Sequence, residues 1–255
     1  MAMTKDNILQ ELITLSRELG QEHRQLAILG EGNTSALCED GTFWVKASGS
    51  YLGSINELGF SRVFLDQTLE MLQMTTMSDT EVDTGLQKVL IDPSHRKPSV
   101  ETFLHAVFLT DGGAKYVGHT HPTSVNSILC SKLGAEPFLH HIFPDEIVVC
   151  GRFPLIIPYV DPGLKLAKTV QKSIQHYKEQ YGSLPKMVLM INHGLVALGQ
   201  TPKEVLNITL MADKWAKIIL GGYSLGGLSH LPEDQVNRIE NRLDEQYRRA
   251  HLAKG

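Results

Sequence analysis

The chain has 255 residues, 42% of them hydrophobic, a formal net charge of −4 and three cysteines. That length supports one large core or two small ones, and an acidic balance without a run of like charge gives no electrostatic footprint for nucleic acid. The unpaired Cys38, Cys130 and Cys150 suggest reduced thiols, and neither a leader segment nor an apolar run of membrane-span length is present, so a cytoplasmic protein without a membrane partner is expected.

In chain order, Asp6 is placed to cap a helix whose Ile8, Leu9, Leu12, Ile13 and Leu19 fall at helical spacing, ending near Gly20. A glycine loop, Gly30-Glu-Gly-Asn-Thr-Ser35, follows. Thr34 to Cys38 and Thr42 to Ala47 read as two strands joined through Glu39-Asp40-Gly41, and Ser48-Gly49-Ser50 makes a second glycine loop. Val63 to Leu65 reads as a strand, with helical pieces at 67–72 and 81–90. After Pro98, the residues Val100, Phe103, Leu104 and Val107 form a helical stripe, with Glu101 in the first turn. Tyr116-Val117 reads as a strand ended by Pro122, which lacks the ladder amide. Thr123 or Ser124 can cap a helix to about Lys132, and Ile147 to Val149 and Leu155 to Tyr159 read as strands. Pro162-Gly163 opens a helix to about Tyr181. Met187 to Ile191 and Leu195 to Leu198 read as strands flanking Asn192-His193-Gly194. Thr201-Pro-Lys-Glu204 is a capping box for a long helix stopping at Gly221-Gly222. Pro232 starts the last helix, whose negative dipole end suits Arg248-Arg249. Strands mixed with helices, without regular βαβ alternation, predict an α/β fold built as one three-layer domain over 1–255.

The chemistry centres on His119 and His121. Two apart in a strand, they face the same way, and neutral imidazole is a good ligand for zinc and its neighbours. Gly118 before them leaves room for another segment. His193 sits at the turn between two apolar strands, and three histidines would leave a metal one open position and its full charge for polarising a carbonyl. Glu101 is favoured by the helix dipole where it stands, and a carboxylate near a metal can also move a proton on a carbon next to a carbonyl. The two glycine loops offer amide nests for a phosphate without basic side chains. His105, one turn after Glu101, reads as a half-buried helix histidine or as support behind the site. His140-His141 reads as a surface or rim pair, and His23, His95, His176, His230 and His251 as solvated. No His-Glu-x-x-His is present for a hydrolytic zinc site.

Glu31-Gly-Asn-Thr-Ser35, Lys46-Ala-Ser-Gly49, Pro98-Ser-Val-Glu101, His119-Thr-His-Pro122, Pro158-Tyr159 and Asn192-His-Gly194 together resemble the class II aldolase/adducin family, in its order, over roughly Asp6 to Gly222. The resemblance implies a core of about 6–222 with a helical extension at 223–255, and a central mixed sheet between helix layers. It implies zinc on His119, His121 and His193, Glu101 as acid/base, and a phosphate pocket from Gly32, Asn33, Ser48, Gly49 and Ser99. It also implies a homotetramer with sites at subunit contacts. The activity implied is a zinc lyase that cleaves a ketose, with a phosphate at its end, through a metal-held enediolate that Glu101 protonates. A dehydratase or decarboxylase of the same family is the second reading. The epimerases carry aspartate where Glu101 stands, and the non-catalytic adducin head has no need of the three histidines. Val100 after Ser99, Ala47 before Ser48, and His140-His141 where family aldolases recruit a tyrosine are departures that bear on the substrate rather than the metal. The pattern is most similar to the aldolase module of fused aldolase–dehydrogenases, whose dehydrogenase module is not in these 255 residues.

Overall fold

The computed structural model describes residues 5–74 and 76–252. Helix α1 (Lys5–Leu19) buries Ile8, Leu12, Ile13, Leu15 and Leu19, the stripe its sequence spacing dictates. Asp6 lies inside this helix rather than at its cap, because the chain is already helical at Lys5. The hairpin follows as β1 (Asn33–Leu37) and β2 (Thr42–Lys46), then β3 (Phe60–Phe64), whose end leads directly into α2 (Leu65–Leu72). Ser78 and Glu81 close a reciprocal capping box on α3 (Asp79–Lys88). Helix α4 (Thr102–Thr110) begins later than expected. Glu101 is its N-cap residue rather than part of its first turn, and Val100 is exposed rather than in the buried stripe.

Strand β4 (Tyr116–Thr120) leads through Pro122 into α5 (Thr123–Leu129). The segment at 147–149 is not a strand but belongs to α6 (Pro144–Cys150). Proline at its first position, two acidic residues in its first turn and Gly151 after it supply helix signals that outweigh three consecutive β-branched residues. Then come β5 (Leu155–Ile157), stopped by Pro158, α7 (Leu164–Tyr181), β6 (Met187–Met190) and β7 (Gly194–Gly199). Helix α8 (Pro202–Ser224), capped by Thr201, runs through Gly221-Gly222 instead of stopping there. The last helix is two, α9 (Glu233–Asn241) and α10 (Leu243–Leu252), broken at Arg242, whose backbone is extended. Arg248 pairs with Asp145 at 2.8 Å, and the side chain of Arg249 lies outside the described residues.

The seven strands make one mixed sheet in the order β3-β2-β1-β4-β7-β6-β5, antiparallel throughout except for the β5–β6 pair. Alternation along each strand feeds two cores. In β7, Leu195 and Ala197 face the layer holding α1, α5 and α8, while Val196 and Leu198 face the layer holding α4 and α7. The architecture is therefore three-layered, with β4 and β7 at its centre. Gly118 in β4 allows the close approach anticipated for it: a Cβ there would lie 2.6 Å from Val205 Cγ1 on α8. All three cysteines are free, Cys38 and Cys150 buried and Cys130 exposed. Among the described residues no helix is long and apolar enough to cross a membrane.

Candidate metal centre

His119 lies in β4 and is fully buried, and its Nδ1 faces the carbonyl of Leu195 on the neighbouring β7 at 3.0 Å. A carbonyl only accepts, so Nδ1 carries the ring proton and Nε2 keeps its lone pair. His121 sits just past the strand, with its backbone amide donating to Leu26 O at 2.8 Å. Its Nδ1 faces Glu31 Oε2 at 3.3 Å, which fixes the same tautomer. The two lone-pair nitrogens are then 3.0 Å apart, too close to be stable unless a cation lies against both.

His193 arrives from the turn between β6 and β7. Asn192 takes the left-handed conformation there (φ 56°), and Asn126 Nδ2 donates to His193 O at 3.0 Å. The next residue must be glycine on space alone, since a Cβ at Gly194 would lie 2.7 Å from both His121 Cδ2 and Thr120 O. The three ring centroids are 4.7, 4.9 and 5.3 Å apart, and the three candidate ligand atoms lie within 4.8 Å of one another. His193 Nδ1 is buried with no hydrogen-bond partner. Three convergent imidazoles and two facing lone pairs fit a metal ion.

The electrostatics agree. Burial is the largest cause lowering His119 and His121 to about 4, with neighbouring rings adding to it at His121 and Glu101 opposing it at both. Neutral imidazoles are what a metal requires. Glu101 is buried beside them, with Oε1 3.3 Å from His193 Nε2 and 3.5 Å from His119 Nε2. Burial pushes its carboxyl up, but His119, His193 and a hydrogen bond from Asn33 outweigh that and hold it well below the usual carboxylate range.

Of the residues expected to hold a phosphate, Ser48 and Gly49 lie on a loop bridged to the 97–99 segment, and Ser99 Oγ accepts from Glu101 N at 3.3 Å, while Gly32 lies against the carbonyl of His119. Asn33 is different. Its amide is bonded to both Glu101 and His105 inside the protein. Two basic side chains not among those expected in the phosphate pocket stand at these loops: Lys46, which opens the second motif, and Arg96. Lys46 is 3% exposed and donates to Gly30 O at 3.0 Å, and burial lowers its pKa against the pull of Glu101. Arg96 is exposed and donates to Ser48 O and Ser50 Oγ. A lysine interrupting the apolar run of β2 was the available signal. Glu31, in the first motif, supports His121 and is itself held by Ile28 N at 2.7 Å. His105 is wholly buried rather than half-buried. His141 is buried against Glu146 at 2.8 Å, His140 is exposed beside Glu136, and Tyr159 is exposed beside Asp161.

Fold and site define a class II aldolase domain, and the chain belongs to that family: the Class II Aldolase and Adducin N-terminal domain matches residues 10–220. Over 245 residues it is 31% identical to "Uncharacterized oxidoreductase YuxG" of Bacillus subtilis, covering 90% of this chain and 33% of that protein. This chain thus spans about a third of that relative's length. It is 24% identical over 212 residues to the 3-oxo-tetronate 4-phosphate decarboxylase of Pectobacterium atrosepticum, covering 82% of each. Among solved structures, the N-terminal class II aldolase domain of a conserved protein from Thermoplasma acidophilum superposes with a TM-score of 0.67 at 29% identity, covering 86% of this chain and 97% of that one.

Proposed function

We propose that the chain is a zinc-dependent lyase of the class II aldolase type, making and breaking a carbon–carbon bond in a ketose phosphate. The observation that carries this reading is the Glu101 carboxylate, placed 3.3 and 3.5 Å from two imidazole Nε2 atoms. His119, His121 and His193 would hold the zinc and leave it an open position. Bound there, the ion would polarise the substrate carbonyl as a Lewis acid. In the synthetic direction, Glu101 takes a proton from the carbon next to the carbonyl. The electron pair left on that carbon bonds to the aldehyde carbon of the second substrate, whose C=O π pair moves to its oxygen, and that oxygen takes a proton from solvent. Cleavage runs these steps backwards, with Glu101 returning its proton to carbon. Gly32, Ser48, Gly49 and Ser99 would take the phosphate end, with Lys46 and Arg96 supplying positive charge and Asn33 lining the floor beneath Glu101. One domain over 1–255, a cytoplasmic location and a homotetramer with sites near subunit boundaries belong to the same proposal.

A second reading is a decarboxylase of a keto-acid sugar phosphate, favoured by the Pectobacterium relative that matches 82% of both chains. Loss of carbon dioxide leaves an electron pair at the same carbon, where a proton must be delivered. The test uses zinc-loaded protein with dihydroxyacetone phosphate in deuterated water, followed by NMR. Deuterium at the hydroxymethyl carbon, and ketose phosphate on adding an aldehyde, are expected. No ketose phosphate with any added aldehyde, together with carbon dioxide release from 3-oxo-tetronate 4-phosphate, would replace the first reading by the second. Light scattering should give four times the 28.3 kDa chain mass, and a monomer mass would remove the assembly from the proposal.

A further inference from the structure

Behind Glu101 runs a buried polar chain that alternates between α4 and β1. Asn33 Nδ2 donates to Glu101 Oε2, Asn33 Oδ1 is hydrogen-bonded to His105 Nε2, and His105 Nδ1 is 2.6 Å from Ser35 Oγ. The spacing explains the meeting. Glu101 and His105 are four apart along one side of a helix, and Asn33 and Ser35 are two apart on one strand face. Ser35 and His105 are fully buried and Asn33 is 3% exposed, so water cannot replace a missing partner.

Each bond has only one possible direction. A carboxylate accepts, so Asn33 must present its NH2 to Glu101 and turn its oxygen toward His105. That oxygen accepts, so His105 carries its proton on Nε2, and Nδ1 accepts from the Ser35 hydroxyl. Burial is the main cause lowering His105 to about 4, Glu101 pulling the other way, so the ring holds a single proton at neutral pH as this orientation needs. A flipped Asn33 amide would set oxygen against oxygen at Glu101.

We propose that His105 is a positioning residue: through Asn33 it anchors Glu101 Oε2 and leaves Oε1, the oxygen beside His119 and His193, as the atom that handles the proton. The proposal rests on the acid/base reading of Glu101 given above. His105→Phe keeps a ring of similar size but cannot donate to Asn33. His105→Gln can restore the chain, its NH2 donating to Asn33 and its oxygen accepting from Ser35.

The first arm of the test is NMR of the metal-free protein. Wild type should show His105 protonated on Nε2 and slow solvent exchange of the Asn33 side-chain amide, retained in His105→Gln and lost in His105→Phe with the backbone spectrum preserved. The second arm is deuterium exchange into dihydroxyacetone phosphate by zinc-loaded protein. His105→Phe should lower kcat ~10–100-fold with KM nearly unchanged, the size expected when a catalytic group is misplaced by about 1 Å, and His105→Gln should recover most of it. A ring protonated on Nδ1, undiminished Asn33 protection in His105→Phe, or a His105→Gln variant no better than His105→Phe would overturn the proposal. Should His105→Phe not fold, the wild-type tautomer and His105→Asn, polar but too short to reach Asn33, decide it in the same way. If wild type exchanges no deuterium while the amide arm behaves as expected, the acid/base reading falls and the anchoring of Glu101 stands.

Discussion

Glu101 sets burial, which disfavours its charge, against nearby imidazole nitrogens and a hydrogen bond from Asn33, which both favour it. Replacing it by glutamine preserves volume and removes the basic oxygen. For Glu101→Gln, proton exchange on dihydroxyacetone phosphate should fall by about 10²–10⁴-fold, with zinc content by elemental analysis unchanged; near-normal exchange would transfer the proton step to another group. Glu31 acts at one remove, orienting His121 through Nδ1. Glu31→Ala should weaken zinc binding ~10–100-fold in a chelator competition, and unchanged affinity would show that the His121–Glu31 contact does not tune the site. His119 and His121 were legible as a pair because strand period is a local signal, whereas His193 joined them through the resemblance of Asn192-His-Gly194 to the family pattern. The place of Lys46 was not legible, and for His105 the sequence left support behind the site as one of two readings, because what defines both residues is distant in sequence. Lys46 is bonded to the carbonyl of Gly30, and His105 to Asn33, 72 positions away.

Packing between elements explains which secondary-structure expectations held. Where a pattern was amphipathic, as in α1 and α7, one face was buried and the reading was right. The segment Ile147-Val148-Val149 lies between two apolar clusters, with Ile147 and Val148 against Val236 and Ile239 of α9 and Cys150 in the main core. A short helix covered on two sides looks in sequence like a buried strand. The same cause blurred α4, in which every residue from Thr102 to Leu109 is buried, so periodicity marked neither its start nor the depth of His105. Gly118 shows how tightly α8 lies on β4. Val205 is fully buried and its χ1 is restricted in a helix, so a Cβ 2.6 Å from its Cγ1 forces backbone movement. Gly118→Ala should cost about 1–3 kcal/mol in urea unfolding; a value near zero would mean that α8 shifts freely over the sheet.

Gathering His105, His119 and His121 in the interior gives the whole molecule a defined acid limit. Each has a pKa lowered to about 4, burial being the first cause in every case, whereas an exposed histidine in the unfolded chain titrates near 6.5. Between these values the unfolded chain takes up protons that the folded one excludes, so folding stability falls as pH falls. The contribution is complete above about pH 6.5 and is lost progressively toward pH 4. For His105 alone, a shift of that size corresponds to about 3 kcal/mol. Glu101, whose carboxyl is held low in the folded state, adds a further loss below the ordinary carboxylate range. A bound metal would steepen the fall, since it needs the imidazoles unprotonated. Melting temperatures of chelator-treated protein should therefore be nearly level from pH 8 to 7 and drop steadily from 6.5 to 4. In the zinc-loaded protein, melting should begin higher and fall more steeply across the same window. A melting temperature that stays level down to pH 4.5 without metal would mean that the three rings accept protons in place, and that the interior around β4 is wetter than its packing indicates.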